Sequence, residues 1–158
     1  MKICLLSERL APPFDEGFKN VALYLRDALA LGHQVLGLTC FGQDIPEHGI
    51  INLPANRLLL SLPLWQAIAR FAPEIVYYVP TASATLPSLL RARLLRFYIR
   101  TGRNQGKVVL IALQPRPLQG RGREVRWLVR ALAPDLVLAP SRQVAEALPS
   151  LGLSLIHI

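Results

Sequence analysis

Apolar residues recur along this chain with two different periods, and the switches between them mark the elements. Residues 3–7 form a short, unbroken apolar run, the pattern of a buried parallel strand covered on both faces. After Phe18 the period lengthens: Val21, Ala22, Leu25, Ala28 and Leu29 fall three and four residues apart, which predicts one apolar face of a helix. Gly32 stands where a left-handed helix stop is expected, and residues 35–39 read as a returning strand. So short a crossover makes the two strands parallel neighbours with a right-handed connection.

The alternation continues to the end of the chain. Strands are predicted over residues 50–53, 74–79, 107–113 and 136–139, with helices over 62–71, 89–101, 124–133 and 142–151. Ser141 suits the N-cap of the last helix. Six strands interleaved with helices predict an α/β fold. Its expected form is a doubly wound, Rossmann-like parallel sheet with helices on both faces and strand order 3-2-1-4-5-6.

In such sheets ligands bind outside the carboxyl ends of the strands, so chemistry is sought there. The loop over residues 10–20 holds Pro12, Pro13, Asp15, Glu16, Gly17 and Asn20. A helix starting at Gly17 or Phe18 offers free backbone N–H groups to a phosphate or other anion. The competing reading is a plain connection whose acids favour the positive end of the helix. At the other strand ends lie Thr81, Ser83, Gln114, Arg116, Ser141 and Arg142. The sequence has no Ser/His/Asp arrangement, no phosphate-binding lysine motif and no convincing carboxylate pair.

Composition narrows the class. A chain of 158 residues that is 52% hydrophobic suits one domain with a substantial core. Nothing approaches the roughly 18–20 consecutive apolar residues of a membrane helix. Glu8 and Arg9 interrupt the amino-terminal apolar run, which argues against a secretory signal. Cys4 and Cys40 fall in or beside core strands and read as buried free thiols of a reducing cytoplasm. Three scattered histidines offer no metal-ligand spacing, so no metal is expected.

The loop with Asp15-Glu16-Gly17 and Asn20, the helix after it, and the exit Leu31-Gly32-His33-Gln34-Val35 resemble the start of the family 4 glycosyltransferases of GT-B fold. Two later stretches resemble the same family: Pro73-Glu74-Ile75-Val76-Tyr77-Tyr78 and the run from Pro134 and Asp135 through Ala139-Pro140-Ser141-Arg142. The resemblance covers residues 1–152. It implies an acceptor-side amino-terminal domain of a cytoplasmic enzyme that moves a sugar from a nucleotide-sugar donor to a glycan or lipid-linked acceptor. It requires no further cofactor. Gly17, Glu16 and Asn20 would lie near the donor. Asp15, Thr81, Ser83, Gln114, Arg116, Ser141 and Arg142 would shape the acceptor pocket. Family members often carry a histidine after the strand matching residues 108–113. Gln114 stands there instead, so no catalytic residue is assigned. The donor-binding half with its paired glutamates is not in this sequence, and the chain alone is expected to be inactive. Residues 153–158 read as a truncated or foreign tail. The alternative is a non-catalytic α/β domain that binds a nucleotide or anion or associates with a membrane surface.

Charge adds a separate feature. The net charge is +8, and 11 of the 18 lysines and arginines lie from Arg91 to Arg130, where Glu124 is the one acid. Arg93, Arg96, Arg100 and Arg103 share one helical face, with Leu90, Leu94, Phe97 and Tyr98 expected opposite. In the next helix Arg123, Arg126 and Arg130 flank Trp127, opposite an expected core face of Val125, Leu128, Val129 and Leu132. A tryptophan among arginines suits an anionic membrane surface, which would make the protein peripheral on the inner face of a membrane. Ordinary solvated helix faces are the competing reading. No nucleic-acid motif accompanies the charge.

Overall fold

A computed structural model of the chain describes residues 1–81, 85–101, 105–113, 123–141, 144, 146 and 155–157. Seven strands form one sheet: β1 (Lys2–Ser7), β2 (Gln34–Thr39), β3 (Ile50–Asn52), β4 (Ile75–Val79), β5 (Lys107–Ile111), β6 (Leu136–Ala139) and β7 (Leu155–His157). Their order is β3-β2-β1-β4-β5-β6-β7, and every pairing is parallel. This is the expected doubly wound α/β fold, with one strand more at the edge. That strand comes from the tail, where Leu155 stands opposite Val137 and His157 opposite Ala139.

Four α-helices complete the alternation among the described residues: α1 (Gly17–Ala30), α2 (Leu62–Phe71), α3 (Leu86–Thr101) and α4 (Arg123–Leu132). The predicted helix over 142–151 lies largely outside the described residues. The core has two clusters, one on each face of the sheet, because successive strand residues point to opposite sides. Cys4, Leu6, Val76, Tyr78, Val108 and Leu110 join α2, α3 and Val129 of α4 on one face. Leu5, Val79 and Ile111 join Ala22 and Leu23 of α1 on the other.

Some helix faces depart from the pattern read in the sequence. In α1, Ala28 is exposed while Lys19 and Leu23 are buried. Gly32 is not left-handed; its N–H and that of His33 both bond to the Leu29 carbonyl, and Leu31 keeps a right-handed helical conformation. Helix α3 begins at Leu86, ahead of the expected start at 89, because Thr85 caps it: its Oγ1 accepts from the Ser88 N–H at 3.4 Å. The buried stripe of α3 is Leu89, Ala92, Leu95, Tyr98 and Ile99, whereas Leu90 and Phe97 face solvent. Both stripes have helical spacing, and small Ala92 lets the first approach the sheet.

Strand β5 lies between β4 and β6, and Val108, Val109, Leu110 and Ile111 are all buried. Leu110 is fully inaccessible. An unpaired carboxylate there would cost several kcal/mol. Leu110→Asp is therefore expected to unfold the domain, and a soluble variant with an unchanged Tm by circular dichroism would contradict the assignment.

Candidate functional site at the carboxyl edge of the sheet

The sheet order reverses direction between β1 and β4. Chain leaving β1 turns outward to α1 and β2 on one face, and chain leaving β4 turns to α3 and β5 on the other. That divergence opens a crevice at the strand ends. Both walls are pinned to one residue, Glu8, which follows β1 and is 2% exposed. Its backbone N–H bonds to the Val79 carbonyl at 3.2 Å, and its carbonyl accepts from Phe41 N–H at 2.8 Å and Cys40 N–H at 3.3 Å. Thr39 Oγ1 accepts from the Leu10 N–H at 3.0 Å, which closes the β1 exit onto β2. Gly42 is required there, since a Cβ would stand 1.8 Å from the Leu10 carbonyl oxygen.

The Glu8 carboxylate is fully engaged. Oε1 accepts from the Tyr78 hydroxyl and from Arg91 Nη1 of α3. Oε2 accepts from Thr81 N–H at 3.1 Å and Thr81 Oγ1 at 2.8 Å. Burial and the adjacent carboxylate hold the Tyr78 hydroxyl well above its ordinary pKa, so it stays a proton donor. Burial alone would lower the Arg91 guanidinium, but Tyr78 and Glu8 outweigh it and raise it.

This network surfaces through Thr81. A cavity of about 520 Å³ at the switch point is lined by Glu16, Gly17, Phe18 and Val21 of the α1 start, by Pro80 and Thr81 after β4, and by Leu113 after β5. Three of the sequence-predicted residues, Glu16, Gly17 and Thr81, thus meet at one opening. Gly17 does not have a left-handed backbone. What its missing side chain leaves is empty space, with no atom within 4 Å of a Cβ built there. Ser7 Oγ, fully buried at the end of β1 and on the α1 face of the sheet, has no hydrogen-bond partner among the described residues.

Other predicted residues have different work. Asp15 and Glu16 ion-pair with Lys19 Nζ at 3.6 and 2.8 Å, and Lys19 also donates to the Pro13 carbonyl at 3.0 Å. This staples the loop to α1 and offsets one of its two negative charges. Asp15 and Asn20 do not line the cavity. Ser141 Oγ accepts from the Val144 N–H at 3.3 Å, which makes it the expected cap. Ser83, Gln114, Arg116, Arg142 and Arg103 lie outside the described residues. Arg123 and Arg126 lie in α4, where Arg130 is exposed and Trp127 is 67% exposed.

Arg96 is not free for a membrane. It ion-pairs with Asp135 at 3.0 Å, and Asp135 Oδ2 in turn accepts the Val108 N–H at 2.8 Å. Among the described residues no cluster of histidine, cysteine and carboxylate side chains could hold a metal ion, and no helix is long and apolar enough to cross a membrane.

Sequence reasoning missed Glu8, Tyr78 and Arg91. The signal appears only once packing has chosen the buried stripe of α3. Arg91 lies three residues after Ser88 and four before Leu95, on the buried stripe of α3, and a cation there demands a buried acid.

The two thiols share this region. Burial, then the Glu8 charge, pushes Cys40 up to about 12 from 9.0, partly countered by Arg91. Burial and the neighbouring Cys40 raise Cys4 as well. Both are protonated, inert thiols at neutral pH. Three groups, Cys4, Cys40 and Tyr78, therefore ionise more readily unfolded than folded. Their stabilising contribution is complete below the ordinary thiol value of 9.0 and is lost as pH rises toward about 12. Native protein at pH 8 is expected to resist iodoacetamide and to react fully in guanidinium. Cys40→Ala is expected to flatten the alkaline fall of the denaturant midpoint, and rapid native alkylation would contradict both statements. Glu8→Ala strands Arg91, Tyr78 and Thr81, and should cost about 3–5 kcal/mol by chemical denaturation.

Comparison with protein-family models and with curated proteins finds no match for this chain.

Proposed function

We propose that this chain is the acceptor-side domain of a nucleotide-sugar-dependent glycosyltransferase, with the β1/β4 crevice as its substrate site. The observation that carries this reading is the cavity of about 520 Å³ at the switch point of the parallel sheet, between the α1 amino terminus and Thr81. Open space at Gly17 supplies room for a ligand there. The resemblance of residues 1–152 to family 4 glycosyltransferases supplies the reaction class. In this reading Gly17 and Phe18 offer backbone N–H groups to an anionic group of the donor. Thr81, held by Glu8, forms the opposite wall, and a separate donor-binding half completes the site.

A second reading, a binding module without catalysis, is favoured by one observation. Glu8 is the one buried carboxylate at the crevice among the described residues, and its oxygens are committed to Tyr78, Thr81 and Arg91.

Titration of the 158-residue chain with nucleotide sugars, followed by amide NMR, tests the site at the weak affinity expected of half an enzyme. The Gly17, Phe18 and Thr81 resonances should shift. Gly17→Val should keep the wild-type Tm and bind roughly tenfold more weakly, about 1.4 kcal/mol, because its side chain fills the ligand's space. Shifts confined to other regions, or equal affinities, would retire the site. In the complete reading frame, sugar transfer that survives Gly17→Val unchanged would do the same.

A further inference from the structure

A helix on the surface of a domain normally hides its large apolar residues, and α3 does not. Leu90 and Phe97 are 42% and 59% exposed, and Leu58 and Leu60 beside them are 43% and 51% exposed. The four side chains line one groove of about 340 Å³, together with Arg93 and Arg100. Contiguous apolar surface of this kind marks an interaction site.

The loop that supplies Leu58 and Leu60 is built to display them. Between them Leu59 is fully buried with φ of 62°, a left-handed conformation that bulky residues avoid. Four bonds hold it. Asn56 Oδ1 accepts from Leu58 N–H and Leu60 N–H, both at 2.9 Å. Tyr98 donates to the Leu59 carbonyl at 3.0 Å, and Arg91 Nε donates to the Arg57 carbonyl at 2.7 Å. The core takes one leucine and turns its two neighbours outward.

Charge identifies what covers them. Between Glu47 and Glu124 the sequence holds a single acid, Glu74. Arg57, Arg93 and Arg100 are exposed around the groove, and Arg93 and Arg100 have no ion-pair partner among the described residues. A protein interface mixes charges of both signs at its rim. Here the charged residues lining the apolar floor are Arg93, Arg96 and Arg100, of which Arg96 is paired with Asp135, and such long side chains can lie along apolar surface while their heads stay in water. We propose that the groove between α3 and the loop over residues 56–60 is a docking surface for a bilayer containing anionic phospholipid. Guanidinium groups would meet headgroup phosphates while the leucines and Phe97 enter the acyl boundary. This inference is independent of glycosyl transfer.

Flotation of the full chain with phosphatidylcholine vesicles, with or without phosphatidylglycerol, is the test. Binding is expected to the anionic vesicles and to fall from 50 to 500 mM salt, as surface charges are screened. Arg93→Ser with Arg100→Ser should weaken partitioning roughly thirtyfold, from about a decade or less per basic residue. Leu58→Ser with Leu60→Ser should weaken it roughly tenfold or more even at low salt, since apolar burial is lost. Both pairs sit at exposed positions and should retain the wild-type Tm, which circular dichroism verifies. Three results would overturn the proposal: equal binding to neutral and anionic vesicles, anionic binding unchanged by the leucine pair, or no vesicle binding at all. If sedimentation then shows a dimer that Phe97→Glu dissociates, a second copy of the chain is the occupant instead.

Discussion

A carboxylate that leaves water must find partners to match its charge, and Glu8 meets that demand in a way that shapes the rest of the domain. Its backbone joins the ends of β4 and β2, and its side chain joins Tyr78 of β4, Thr81 beyond it and Arg91 of α3. The charge is tolerable because every oxygen is engaged; removing any one partner leaves the others stranded in a low dielectric. Specific geometry, more than net stability, is what such a cluster supplies. The same Arg91 that neutralises Glu8 also holds the 56–60 loop by its Nε. One guanidinium thus links the crevice at the strand ends to the leucine surface beside α3.

Two surfaces of different character result. The crevice beside α1 is a concave site between the α1 amino terminus and a threonine. The groove beside α3 is apolar with a cationic border. They lie on opposite faces of the sheet, because the connection after β1 and the connection after β4 leave in opposite directions while both keep right-handed crossovers. The topology therefore separates a small-molecule site from an amphipathic surface.

What the sequence disclosed follows the range of the forces involved. Strands and helices come from local periodicity, and α2 and β6 fall on their expected residues because Ser61 and the flanking prolines punctuate them. Where a helix carries two apolar stripes, as in α3, periodicity cannot choose between them. Packing chose the one containing Ala92. The loop at Gly17 was legible from its neighbours and from strand order. Lys19 was not, because a buried lysine is recognised by the acids and carbonyl that surround it. The Glu8 cluster spans from residue 8 to residue 91 and leaves no period to read.

That span bears on how the chain is made. During synthesis β1 emerges before β2 and β4, yet it becomes a central strand between those two neighbours. Glu8 and Arg91 are 83 residues apart in sequence. Until α3 has left the ribosome, Glu8 has no cation to accompany it inward and is best kept hydrated. The amino-terminal third can form β1, α1 and β2, but the edge of β1 that awaits β4 stays open. Pairing of this kind, parallel and distant in sequence, is slow and leaves strand edges exposed to other chains. The ionic lock therefore acts late, committing the nascent domain to its final register only once α3 is available.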